Sequence, residues 1–257
     1  MKAGKVFIVG AGPGGIGDMT GRAIAAVREC GVLCGYTVYI DLIRAQMPEA
    51  AGKKTVTTPM RREIERCKAA LDEASEGRDV AMICSGDAGI YGMAGPILQL
   101  QENYPQVEIE IIPGITAAVS GAAILGAPLM NDFCVVSLSD LLTPWDVIEK
   151  RLRAAAVGDF TTVIYNPMSK KRTDHLRRAC DIFLEMRPEN TVCGWVRNIG
   201  RPGQEKKLMT LRDLRDETVD MFTTVYIGSE GILNVNGCMV VPRGYNSFDP
   251  NTGNMCG

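Results

Sequence analysis

Along this chain, apolar runs end in glycine. Lys5–Val9 is apolar and β-branched and breaks into GAGPGG; Asp79–Ser85 is a continuous apolar run that meets GDAGIYG; Val107–Ile112 stops at Pro113 and Gly114. The first two, short apolar runs bounded by turn residues, read as buried strands, and Val107–Ile112 reads as a further strand. Helical patterns lie between them. Thr20 is placed to N-cap RAIAAVREC, with Ile24, Val27 and Cys30 on one face. Pro59–Glu76 predicts a charged amphipathic helix with Ile64, Cys67 and Leu71 inward, and Met93–Gln101 a further helix. VLCGYTVYI reads as a strand, a turn, and a second strand or short helix. Alternating strands and helices predict a mostly parallel α/β sheet, with ligand-binding loops at its strand ends.

A helix of small residues, Ile115–Leu125, follows, and the pattern restarts with strand DFCVVSL, helix Trp145–Ala155, strand FTTVIYN, helix Arg172–Glu185 and strand TVCGWV. After the polar loop GRPGQE come LMTL and strand MFTTVYIG. This half has more strands, shorter spacings and fewer helices. A break at Pro113–Thr116 gives an N-terminal α/β domain, 1–114, and a C-terminal α/β domain, 115–245. The polar, glycine-rich segment 246–257 is expected to be a flexible tail.

The 257 residues, 46% hydrophobic and 23% charged, suffice for two cores. A net charge of −2 disfavours a nucleic-acid partner. It leaves room for an anionic small molecule held by local basic runs such as Arg61-Arg62, Lys170-Lys171-Arg172 and Arg197–Lys207. KVFIVGAGPGG breaks too early for a signal peptide. No apolar run reaches the ~18 residues needed to span a bilayer. The nine cysteines are odd in number, form no CxxC pair and sit in apolar surroundings, with His175 the single histidine. They read as buried, reduced thiols of a cytosolic protein, neither catalytic nor metal-binding.

Gly10, Gly12 and Gly15 satisfy GxGxxG, yet the loop runs on to about Thr20. A helix starting that late does not offer its N-terminus to a pyrophosphate, so a tight turn is favoured over a dinucleotide site. Asp87 in SGDAGIYG is either an acceptor for ligand hydroxyls or amines or part of an Asp-Gly turn. The small residues of PGITAAVSGAA permit close approach by a ligand or by packed backbone. In YNPMSKKR, Asn166 and Ser169 end a strand, while Lys170, Lys171 and Arg172 place positive charge at a helix start, against its macrodipole, which favours an anionic ligand. His175, with no partner visible, reads as solvated, and Trp145 and Trp195 as core residues.

Taken in order over roughly residues 5–230, VGAGPGG, SGDAGIYGM, PGITAA, the YNP turn and TTVYIGS resemble the tetrapyrrole methylases. That resemblance implies two α/β domains with S-adenosylmethionine in the cleft between them, in a cytoplasmic homodimer. GYTVYIDLI, DFCVVSLSDLLTPWDVIEKRL and DFTTVIYNPMSKKR resemble the branch that methylates C17 of precorrin-3B or cobalt-factor III with ring contraction, in cobalamin biosynthesis. The implied cofactor residues are Pro13, Gly86, Asp87, Ile90, Tyr91, Thr116, Ala117, Tyr165, Asn166, Met168 and Thr224. Arg61, Arg62, Lys170, Lys171, Arg172 and Arg201 are the candidate clamps for an anionic tetrapyrrole, with or without cobalt. Ser137, Ser139, Asp140 and Tyr91 are the candidates for handling protons during ring contraction. Met168 stands where many relatives carry arginine, and GGIGDMT has an extra glycine. A sibling methylase acting at another carbon, an NAD-dependent oxidoreductase and a non-enzymatic nucleotide-sensing module remain alternatives.

Overall fold

The apolar runs of the first half become parallel strands because helices cover both of their faces. A computed structural model describes residues 2–59 and 61–242. The chain divides into two compact units, one ending at Ala117 and the other beginning at Ala118. In the first, β1 (Lys5–Gly10), β2 (Val32–Tyr36), β3 (Lys54–Thr58), β4 (Val80–Cys84) and β5 (Glu108–Ile112) lie in the order β3-β2-β4-β1-β5, all parallel. Helices α1 (Gly21–Glu29) and α2 (Thr37–Gln46) bury Ala23, Val27 and Ile40 against Val9, Leu33 and Ile83. Helices α3 (Glu63–Ser75) and α4 (Ala94–Leu100) bury Cys67, Leu71 and Ile97 against Ile8, Val80 and Met82. The strand order reverses at β4 and β1, so the carboxyl ends of β1, β4 and β5 open side by side.

Two local expectations change. Pro59–Glu76 is not one helix: α3 starts only at Glu63, and the polar segment KTVTT before it forms edge strand β3. Ile64, predicted inward, is 51% exposed in the first turn of α3, whose buried stripe is Cys67, Ala70, Leu71 and Ala74.

Helix α5 (Ala117–Leu125) leads into the second unit. That unit contains β6 (Gly126–Ala127), β7 (Phe133–Ser137), α6 (Trp145–Val157), β8 (Thr161–Tyr165), α7 (His175–Leu184), β9 (Val192–Arg197), β10 (Glu205–Thr210), α8 (Leu211–Arg215), β11 (Thr223–Ile227), β12 (Leu233–Val235) and β13 (Cys238–Val240). Its main sheet has the order β10-β9-β11-β8-β7; only the β7–β8 pair is parallel. β6, β12 and β13 make a small separate sheet. Leu152, Ile164, Leu176, Phe183, Leu211 and Val225 build the core. Helix α7 begins three residues later than the pattern suggests, because Ser169 and Arg172 exchange backbone hydrogen bonds of 3.0 and 3.1 Å in a tight turn. The three cations therefore sit on that turn, not on a helix N-terminus. The expected tail, 246–257, lies outside the described residues.

No helix of the described residues is long and apolar enough to cross a membrane. Among the same residues, no cluster of histidine, cysteine and carboxylate side chains fits a metal ion. The described cysteines are free thiols. Burial pushes Cys34, Cys84 and Cys193 up to about 12 and Cys67 up to about 11. Since the thiolate is the reactive form, these four should resist iodoacetamide in the folded protein and label fully in denaturant. Mass mapping of labelled peptides checks this, and rapid modification of Cys84 or Cys193 in native buffer would contradict it.

Candidate functional site

Three strand ends meet at glycine in the first unit. Ala11 N donates to Cys84 O at 2.8 Å, and Gly12 and Gly86 exchange backbone bonds of 3.0 and 2.7 Å. Gly12 and Gly86 both have φ of +69°, a conformation that favours glycine. A Cβ on Gly114 would lie 2.2 Å from Gly86 O and 2.5 Å from Gly10 O, so bare backbone alone fits there. Asp87 ties the loops together: Oδ1 accepts from Gly89 N (2.7 Å) and Ile90 N (3.1 Å), and Oδ2 from Gly114 N (2.9 Å). The Asp-Gly turn, one of the two readings of this motif, is thus present, and the same carboxylate also clasps the β5 loop. Around this floor, Pro13 and Thr116 are buried, whereas Ile90 and Tyr91 are exposed. The site a Gly86 Cβ would occupy is 3.5 Å from Thr116 Cα and 3.7 Å from Ala117 N.

The glycine loop owes its shape to a residue that sequence reasoning missed. Gln46 of α2 accepts from Ile16 N at 2.7 Å and donates to Gly14 O at 2.9 Å. Helix α1 then starts at Gly21, and Thr20 Oγ1 accepts from Ala23 N at 3.1 Å, the cap expected from the pattern. No α-helix N-terminus falls inside the glycine motif; one 3-10 turn, Ile16–Asp18, follows Gly15 before α1.

In the second unit, two tyrosines grip the start of α5. The Tyr165 hydroxyl oxygen accepts from Ala118 N at 2.7 Å, and the Tyr226 hydroxyl donates to Ala118 O at 2.9 Å. Gly121 is required beside them, since its Cβ would stand 2.3 Å from the Tyr226 oxygen. Burial pushes the Tyr226 phenol well above its ordinary range. Thr224 is buried two residues earlier on β11.

The ends of β7 and β8 gather the polar candidates. Asn166, at φ +53°, donates from Nδ2 to Ser137 Oγ at 2.9 Å; Ser139 N donates to the same oxygen at 3.2 Å; Leu138 N donates to Tyr165 O at 2.9 Å. The reading of His175 as solvated and unpartnered is overturned. It is buried, with Nε2 at 2.9 Å from Asp140 Oδ2 and Nδ1 at 3.0 Å from Asp174 Oδ1. Its hydrogen bonds hold both carboxyls below their ordinary range. Trp145 meets the imidazole edge-on at 4.9 Å between ring centres and carries the Arg178 guanidinium 3.8 Å above its own ring.

The candidate clamps separate sharply. Arg172 is largely buried and donates to Leu138 O at 3.1 Å; it is framework. Arg62 pairs with Glu65, Arg197 with Asp220, Lys207 with Glu217, and Lys206 caps the carbonyl of Ile124. Arg61, at φ +67°, is exposed, and Arg201 is half-buried in the 198–204 loop. Lys170 and Lys171 occupy the middle of the Ser169–Arg172 turn, exposed and in no ion pair among the described residues. The Met168 side chain joins the core, and its sulfur accepts from Val219 N at 3.5 Å.

The sequence profile of the tetrapyrrole (corrin/porphyrin) methylases matches residues 5–215. The chain belongs to this family. This tetrapyrrole methylase is 46% identical over 239 residues to a probable cobalt-factor III C(17)-methyltransferase of Salmonella typhimurium, covering 93% of this chain and 98% of that protein. It is 36% identical over 230 residues to a precorrin-3B C(17)-methyltransferase of a Sinorhizobium species, covering 88% and 89% respectively. A crystal structure of the methyltransferase CobJ matches it with a TM-score of 0.87 at 37% identity, covering 93% of this chain and all of that one. The oxidoreductase and sensing-module alternatives fall away. In this methylase the glycine loop serves as a strand-end turn fastened by Gln46, with its helix starting beyond it.

Proposed function

We propose that this tetrapyrrole methylase transfers a methyl group from S-adenosylmethionine to C17 of precorrin-3B or cobalt-factor III, with contraction of the macrocycle, in cobalamin biosynthesis. The observation that carries the reading is the glycine floor. Gly10, Gly86 and Gly114 let the ends of β1, β4 and β5 pack backbone on backbone into a compact floor, and Ala117 near Gly86 is small. Such a floor fits a flat, polar nucleoside. Pro13, Gly86, Thr116 and Ala117 would hold it, with Ile90 and Tyr91 at its rim. The further candidates Tyr165, Asn166, Met168 and Thr224 lie in the second unit.

Bound there, S-adenosylmethionine supplies a sulfonium-activated methyl group. Displacement at such a centre needs alignment more than a strong acid or base, which suits a chain with one histidine and no metal cluster among its described residues. Lys170 and Lys171 bind the peripheral carboxylates of the substrate. The candidates for handling the protons that ring contraction moves are Ser137, Ser139 and Asp140 in the second unit and Tyr91 in the first. The reading carries with it a cytoplasmic homodimer, consistent with the reduced thiols; sedimentation checks the dimer.

Two variants test these assignments. Ala117→Leu should weaken S-adenosylmethionine binding at least about tenfold by titration calorimetry, by steric exclusion; unchanged affinity in the folded variant would remove the site from this position. Charge-assisted bonds to carboxylates contribute ~1.5–3 kcal/mol each, so Lys171→Ala should weaken tetrapyrrole binding about tenfold or more while leaving cofactor affinity intact. Raising salt should have the same selective effect. Equal tetrapyrrole affinity in wild type and variant would exclude the clamp.

A further inference from the structure

We propose that His175 is a positioning residue that holds Asp140 for action on the substrate; this rests on the methylase reading above. His175 is 7% exposed at the first position of α7. Its ring is fixed on three sides, by Asp140 Oδ2 at 2.9 Å, Asp174 Oδ1 at 3.0 Å and the edge-on Trp145. Asp174 occupies the helix N-cap, yet its side chain makes no capping bond; the carboxylate turns to the imidazole instead. A helix start shaped for stability alone would use that aspartate as a cap.

The Asp140 side chain, by contrast, is 35% exposed. Its Oδ2 is held by His175, and among described residues the one cation within reach of Oδ1 is Arg172 Nε, at 4.0 Å. The segment 137–140 is thus fastened at both ends. At the inner end Asn166 and Ser139 N bond to Ser137 Oγ and Leu138 N bonds to Tyr165 O; at the outer end His175 grips Asp140. One carboxylate oxygen is locked by His175, and the other is approached by Arg172 Nε at 4.0 Å in a half-exposed position. Leu142, two residues on along the chain, is 98% exposed. Proton-handling groups need this kind of orientation by a neighbour whose own rotamer is locked.

Steady-state kinetics with the tetrapyrrole test the proposal. His175→Phe keeps the ring against Trp145 but loses both hydrogen bonds. It should lower kcat roughly tenfold to a hundredfold with the KM for S-adenosylmethionine unchanged. His175→Gln, which retains an N–H toward Asp140, should recover most of the rate. Because His175 acts through Asp140, adding His175→Phe to Asp140→Asn should cost nothing further. Wild-type kcat in folded His175→Phe, wild-type kcat in Asp140→Asn, or additive losses in the double variant would overturn the proposal. Hydrogen exchange supplies a readout independent of substrate: amides of 138–142 should exchange faster in His175→Gln and faster still in His175→Phe, and unchanged exchange in both would overturn the anchoring. Failure of the wild type to methylate either tetrapyrrole would overturn the functional reading alone.

Discussion

Replacing Gly114 by alanine is expected to destabilise the chain by about 3 kcal/mol or more and to abolish cofactor binding. The new methyl carbon would lie 2.2 Å from Gly86 O, 2.5 Å from Gly10 O and 2.6 Å from Gly10 C. All three are backbone atoms at the ends of hydrogen-bonded strands, so no flexible side chain can move aside. Relief requires β5 to shift away from β1, which breaks the Gly114 N bond to Asp87 Oδ2. The same shift deforms the floor proposed to bind S-adenosylmethionine. Chemical denaturation and calorimetric titration read the two effects together. A loss below about 1 kcal/mol with wild-type affinity would mean that the strand ends are not packed as described.

Asp87→Ala should be the second most damaging change. It strands three backbone amides at once, those of Gly89, Ile90 and Gly114. Each unsatisfied amide costs ~1–3 kcal/mol where water cannot replace the lost acceptor. Gly89 and Ile90 lie near solvent and should recover water partners, so the loss concentrates at Gly114 and in the freed 86–91 loop. The expected result is ~2 kcal/mol of stability and a roughly hundredfold weaker cofactor complex. Asp87→Asn separates shape from charge. It retains one acceptor oxygen but sets an NH2 group against one of the amides, so it should fall between wild type and alanine. Asparagine as damaging as alanine would assign the carboxylate a direct charge role toward the ligand.

Much of this floor is legible in the amino-acid sequence, because its signals are local. An apolar β-branched run halted by glycine or proline marks a buried strand and its turn, and β1, β4, β8 and β11 follow that rule, whereas edge strand β5, EIEII, is marked by its Pro113-Gly114 stop alone. Thr20 announces the late start of α1 by the same kind of short-range chemistry. Non-local bonds leave no such mark. Gln46 reaches the glycine loop across 30 residues, and Asp140 reaches His175 across 35. A histidine in a polar helix start carries no sign of a carboxylate so far away. Arg172 misleads for a related reason: a cation in a basic run reads as exposed, although its guanidinium turns inward to Leu138 O and leaves Lys170 and Lys171 as the exposed pair. Edge strand β3 escapes because KTVTT has little apolar content to reveal it.

The central claim is methylation at one ring carbon. The direct measurement is incubation of the purified protein with S-adenosylmethionine labelled with 13C at the methyl group and, separately, with cobalt-factor III and precorrin-3B. Product mass and 13C resonance assignment follow. A product heavier by one labelled methyl group, with the label at C17 of a contracted ring, is the predicted result for at least one substrate. Label at another carbon, or no transfer to either tetrapyrrole by protein that is folded and binds S-adenosylmethionine, would contradict it.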